Sequence, residues 1–204
     1  MPALKASPGI HKAAQRRCLD SNTGVPPARY ADRMDKALYL ITDRDLLINL
    51  TEFHLGFQPP AVILEGLTEE QATAKPQGSP HSISDIVGHM CFWQEYFNKM
   101  ATEGFRDFPA HAPDGWPKMR VGGWDALSKR FLASVQATRE LAGTSNRLDE
   151  KLLPEGSPLP FMQRDSVGSG LLHAVIHTSH HLGQVVTLRQ ILKLWPPPSG
   201  SMTW

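Results

Sequence analysis

The sequence predicts an all-α four-helix bundle with long inter-helix loops, and three observations predict it. Apolar residues recur at spacings of three and four over several long stretches, the period of a helix with one buried face. Two connections rich in proline and glycine, residues 104–123 and 144–165, separate those stretches. No segment alternates apolar and polar residues as a half-buried strand does. A chain of 204 residues suits one substantial domain. Surface scaling lets roughly 70% of such a chain's surface be buried, enough for a core without disulfide staples.

Residues 1–33 read as a poorly ordered N-terminal extension, and 34–204 as the bundle domain. The extension holds Pro2, Pro8, Pro26 and Pro27 but no sustained apolar period. Lys5, Lys12, Arg16 and Arg17 precede its first acid, Asp20, a basic-first order shared with organellar presequences. An extended start ahead of Met34 is the plainer reading. Helix one is expected over Leu46, Leu47, Leu50, His54 and Phe57, with Pro59-Pro60 kinking or restarting it. Ala61 to Leu67 reads as a short helical piece ending near Thr68, before the break Lys75-Pro76-Gln77-Gly78-Ser79-Pro80. Helix two follows an N-cap at Ser82 backed by Asp85. Its stripe is Ile86, Met90, Trp93, Phe97 and Met100. Helix three shows Trp124, Leu127, Phe131, Val135 and Thr138 on one face and closes at Gly143. Helix four is expected from Ser166 to about Leu194, ended by Trp195-Pro196-Pro197-Pro198. It is apolar around much of its circumference.

Composition excludes several classes. Lys and Arg total 21 against 20 Asp and Glu, a net charge of +1. That balance argues against a nucleic-acid partner held by phosphate neutralisation. No run of eighteen apolar residues is present to span a membrane, and no apolar leader segment points to secretion. The expected setting is cytoplasmic. Cys18 and Cys91 are too few for a cysteine-rich zinc site.

Histidine is the unusual component: nine in all, four of them between His173 and His181. Taking His173 as origin, an advance of about 100° per residue puts His177 at about 40°, His181 at about 80° and His180 at about −20°. Gln184 falls at about 20°. The histidines thus share one stripe with core-facing apolar residues. Imidazoles at i and i+4 stand one above the other and can converge on an ion. His173 with His177, and His177 with His181, both satisfy that spacing. Catalytic metal sites commonly use three protein ligands and leave one position open. His89, on the flank of the helix-two stripe, is the best third candidate, which places the expected site between helices two and four. A lone half-buried histidine is more often a hydrogen-bonded core residue. Four on one core-facing stripe are harder to bury unpaired.

The run His173-Ala-Val-Ile-His177-Thr-Ser-His180-His181-Leu-Gly183-Gln184, continuing through Leu188-Arg189 to Trp195-Pro196-Pro197, closely resembles the last helix of the DinB-like (YfiT-like) metalloenzyme superfamily. Ser82 to Phe97, with His89 followed by Trp93, resembles that superfamily's second helix. The resemblance implies a helix-two histidine plus the H-x3-H pair that ends just before x-G-Q, here His89, His177 and His181. His173 and His180 then become supporting or packing residues. It further implies a divalent transition metal (zinc, nickel or iron), frequent homodimers, and in some relatives thiol S-transfer using bacillithiol, mycothiol or glutathione. The DNA-damage name describes a stress response and does not imply DNA binding.

The function expected is a divalent-metal-dependent enzyme with a three-histidine site and an open coordination position. A thiol S-transferase or hydrolase on a small molecule, with a low-molecular-weight thiol as partner, fits that description. The alternative is a non-catalytic metal- or ligand-binding, stress-response protein. Among neighbouring residues, Gln184 could hydrogen-bond a ligand imidazole. Gly183 is expected to permit close helix packing, and Trp93, Tyr96 and Phe97 to belong to the core. Cys91, about 200° from His89, reads as a small buried residue. Because imidazole ordinarily titrates near 6.5, metal affinity is expected to fall through that pH.

Overall fold

The computed structural model describes residues 44–51, 58–104, 109, 111–117, 122–153 and 166–201, all within the unit Leu40–Trp204. The expected 1–33 extension, and His54 and Phe57 of helix one, lie outside the described residues. The described chain is all-α. Its helices are α1 (Arg44–Thr51), α2 (Pro60–Leu64), α3 (Glu69–Thr73), α4 (Ile83–Glu103), α5 (Gly123–Thr144) and α6 (Val167–Ile191). A 3-10 turn (Ala112–Gly115) interrupts the α4–α5 connection. Among the described residues no strand forms; Lys151 and Ser166 make one isolated bridge.

Local chemistry sets the helix starts. Pro60 opens α2, where its missing N–H costs nothing. The helical piece expected over Ala61–Leu67 is α2, which ends at Leu64, and a further short helix, α3, follows it beyond the expected end. Gly66 turns at φ 72°, and Thr68 begins α3 with a capping box closed by Gln71. Ser82 caps α4 by accepting from the Asp85 N–H at 3.1 Å, while the Asp85 carboxylate accepts from the Ser82 N–H at 2.9 Å. Ser166 and Ser169 form the same reciprocal pair ahead of α6. The Glu69 carboxylate on α3 accepts from the Trp124 N–H and so caps α5 from another element.

Arginines close the other ends. Arg44 donates to the carbonyls of Ala142 (3.1 Å) and Ser145 (2.5 Å), and to that of Gly143, at the end of α5. Arg147 donates to Ala101 and Thr102 at 3.3 Å each, at the end of α4. A cation beside a helix C-terminus satisfies orphan carbonyls and complements the helix dipole. Helix α6 stops at Ile191, three residues short of the expected end. Lys193 takes φ 59°, and the Leu194 N–H returns to the Arg189 carbonyl at 2.7 Å. That reversal ends the helix before the prolines are reached. Arg189, 2% exposed, fixes the reversal by donating to the Leu194 carbonyl at 3.0 Å and to the Ile63 carbonyl.

Helix α4 lies against both α5 and α6, and α1 packs on α5. Its buried surface extends beyond the expected stripe to Val87, Cys91, Gln94, Asn98 and Ala101. The core has two apolar halves. One holds Ile86, Met90, Leu127, Phe131 and Leu182; the other holds Phe97, Met100, Ala142, Leu171 and Ala174. A polar layer separates them. The Thr178 hydroxyl donates to Gln94 Oε1 at 2.8 Å, Gln94 Nε2 donates to Thr138 Oγ1, and Thr138 donates to Asn98 Oδ1 at 2.6 Å. Asn98 Nδ2 completes the chain on the Ser134 carbonyl at 2.8 Å. A satisfied buried network of this kind penalises any slide or rotation that would leave its members unpaired. It therefore sets the register of α6 against α4 at Thr178, next to His177.

Candidate metal centre

Helix α4 supplies His89 and helix α6 supplies His177 and His181. One ring nitrogen from each lies within 4.8 Å of the others. His177 Nε2 is 3.1 Å from His89 Nε2 and 3.1 Å from His181 Nε2. Partners on the far side of two rings decide where their protons sit. His89 Nδ1 donates to the Gly115 carbonyl at 2.5 Å, and His181 Nδ1 donates to Gln184 Oε1 at 2.7 Å. Both therefore present Nε2 lone pairs to His177. One Nε2–H on His177 could satisfy only one of them. Its own Nδ1 is buried without a hydrogen-bond partner.

Such a triad is poorly satisfied by protons and well suited to a cation. Two nitrogens about 2.05 Å from one ion, at a tetrahedral angle, stand about 3.3 Å apart. The observed separations are close to that, and the three histidines are positioned to bind a metal ion. Electrostatics agree. Burial pushes His89 down to about 4, against a smaller opposing effect of its bond to Gly115. Burial and then the neighbouring imidazoles push His177 down to about 3. Burial also lowers His181. The rings are neutral at pH 7, as metal ligation requires. The rings therefore take up protons at lower pH than an ordinary imidazole, because desolvation disfavours the imidazolium.

A family model of the DinB superfamily matches residues 61–185. The chain belongs to the DinB superfamily. No curated protein matches it. The match spans α2 through most of α6, so it includes His89, His177 and His181 and leaves out the first 60 residues.

The remaining expected residues of this DinB-superfamily chain fall outside the cluster. His173 is exposed and lies against Phe97, ring centroids 5.0 Å apart. His180 is exposed and accepts from Gln184 Nε2 at 3.4 Å, so Gln184 bridges it to His181. Gly183 does not serve close packing: a Cβ there would meet nothing within 4 Å. Cys91 is fully buried, and burial with the Glu95 carboxylate raises its thiol to about 12, which makes it inert. Phe97 is core, but Trp93 and Tyr96 are only half-buried. Trp93 sits edge-on to both His89 and His177, with centroids 6.4 Å away in each case.

Sequence reasoning missed Gly115, Trp116, His81 and Gln94. Trp116 stacks on His89 at 3.9 Å and 12°, and on its other face meets His81 at 3.9 Å and 11°. Both Gly115 and Trp116 belong to a stretch read only as a connection. Its Pro113-Asp114-Gly115 run signals a turn, but a turn signal says nothing about which helix the turn will touch.

Proposed function

We propose that this chain is a divalent-metal-dependent enzyme acting on a small molecule, with His89, His177 and His181 as the ligands and one coordination position left open. Convergence of three neutral Nε2 atoms, two of them oriented from behind by Gly115 and Gln184, is the observation that carries the reading. A bound divalent ion supplies Lewis acidity, undiminished by anionic ligands, that can lower the pKa of a thiol or polarise a substrate oxygen. The chain's own residues orient and shield. Gln184 holds His181 in its Nδ1–H tautomer, Gly115 does the same for His89, and the edge of Trp93 walls the cluster on the α4 side.

Thiol S-transfer is the favoured reaction and hydrolysis the alternative. A low-molecular-weight thiol, and the homodimer common among relatives, complete the proposal. Ile176 and Ile191, 59% and 58% exposed on α6, are consistent with a second copy of the chain as partner. No helix among the described residues is long and apolar enough to cross a membrane.

The test is metal analysis of protein prepared without chelator, followed by a screen of the loaded protein with thiols and electrophiles. One divalent ion per chain, lost in His177→Ala together with thiol consumption, supports the reading. Equal metal in wild type and His177→Ala refutes the ligand set. Full metal without turnover of any thiol or ester substrate refutes the enzyme and leaves a metal-binding protein.

A further inference from the structure

The 3-10 turn between α4 and α5 is built as a clamp on one imidazole. Its geometry is closed by reciprocal bonds: the Asp114 N–H donates to the His111 carbonyl at 3.0 Å, and the Asp114 carboxylate accepts from the His111 N–H at 3.0 Å. The Trp116 N–H then donates to the Pro113 carbonyl at 2.9 Å. Two consecutive groups leave the turn aimed at His89. The Gly115 carbonyl takes its Nδ1–H, and the Trp116 indole lies flat against its ring. A hydrogen bond in the ring plane fixes the tautomer but leaves the ring free to swing about that bond. A flat contact 3.9 Å from one face removes the swing.

Gly115 is required for a reason unrelated to backbone freedom. A Cβ there would stand 2.9 Å from Trp93 Nε1 and 3.1 Å from Trp93 Cζ2. An indole is rigid and this one is itself edge-packed on His89 and His177, so the turn would have to move instead. His81 covers the outer face of Trp116, so the indole is held from both sides.

We infer that Trp116, with the Gly115 carbonyl, is a positioning element for the metal centre: it holds His89 in one tautomer and one plane so that Nε2 meets His177 and His181. The inference rests on the reading that these three histidines hold an ion. It assigns the loop between α4 and α5 a role in metal affinity, separate from the ligands on the helices. Outer partners of metal-bound imidazoles typically contribute 10- to 100-fold to affinity. Trp116→Ala should weaken binding by that factor, and Trp116→Phe, which keeps a flat ring, should recover most of it.

Cobalt(II) titration followed by its visible absorption is the experiment, with nitrogen-15 NMR of metal-free protein reporting the His89 tautomer. Expected are one cobalt per wild-type chain, a 10- to 100-fold weaker Trp116→Ala, and a near-normal Trp116→Phe. The metal-free Trp116→Ala spectrum should show His89 exchanging between tautomers or planes. Gly115→Ala should weaken cobalt binding similarly, and Trp93→Phe in that background, by making room for the methyl, should restore it. That rescue remains informative even where Trp116→Ala folds poorly. Wild-type affinity and an unchanged His89 signal in both Trp116→Ala and Gly115→Ala overturn the clamp. Failure of the wild type to bind cobalt, or equal binding by His89→Ala, overturns the metal reading instead; the tautomer spectra still decide the clamp.

Discussion

Lowering the pH of the metal-free protein should destabilise it well above the range where carboxylates titrate. His89 and His177 have folded values of about 4 and about 3 against an ordinary 6.5. The folded state therefore binds fewer protons than the unfolded state between those limits, and stability must fall as pH falls through that window. At pH 5 an unfolded imidazole lies about 1.5 units below its pKa, while the folded rings remain almost unprotonated, so each contributes a loss of at most about 2 kcal/mol. Together that is at most about 4 kcal/mol between pH 7.5 and 5, and the lowering of His181 adds in the same direction. Glu65 and Asp85 are held below their ordinary 4.5 and 3.8, Glu65 chiefly by bonds from Ser199. Burial alone would raise Asp85, but the bonds from Ser82 together with the charges of Lys75 and His81 outweigh it. Both carboxylates titrate below the window. The assay is urea unfolding in chelator at pH 7.5, 6 and 5. With about 1–3 kcal/mol per molar urea, the wild-type midpoint should drop by at most about 1–4 M. His177→Gln, which cannot take up the proton, should remove about half of that drop whatever its midpoint at pH 7.5. His173→Ala, on the exposed face, should leave most of the drop in place, because His173 is a minor cause of the lowered His177 value. A wild-type midpoint flat from pH 7.5 to 5, or a slope untouched by His177→Gln, would refute burial of neutral imidazoles as the source.

Three further outcomes follow from the same geometry. Metal retained through a desalting column should be lost at a pH below 6.5, because all three ligand rings are lowered from that ordinary value and His89 and His177 give way only near about 4 and about 3; loss centred near 6.5 would mean that the ligands titrate as free histidines. His181→Ala should empty the site while His173→Ala stays loaded, since of these two only His181 brings a ring nitrogen into the cluster, 3.1 Å from His177 Nε2; elemental analysis showing the reverse would mean that the ligand pair on α6 is His173 and His177. Gln184→Leu should weaken metal binding about 10- to 100-fold by freeing the His181 Nδ1–H, whereas Gln184→Glu, which still accepts that proton, should bind at least as well as wild type; competition with a metal indicator measures both, and equal affinity in Gln184→Leu removes Gln184 from the site.

Periodicity made the frame legible because burial imposes it. The stripes expected on helices two, three and four correspond to α4, α5 and α6, and the Ser82 and Ser166 starts match their caps. Helix α3 was not legible, since its five residues, Glu69–Thr73, are too few and too polar to show an apolar period. The histidines were half legible. Spacing alone allowed His173 with His177 as readily as His177 with His181, and only the likeness to the x-G-Q ending separated them. What separates them physically is the Thr178–Gln94 bond across the polar layer, which sets how α6 meets α4 and presents His177 and His181 to His89. That bond joins residues 84 positions apart, so no local pattern encodes it. Gly115 and Trp116 are invisible for a related reason: a loop residue has no period, and its contact with His89 exists only once α4 is packed. The candidate histidines of this protein are thus written in helical repeats. Ligand tautomer is written in the loop and in one side chain a turn away, and those are the parts that decide whether three histidines can face one point.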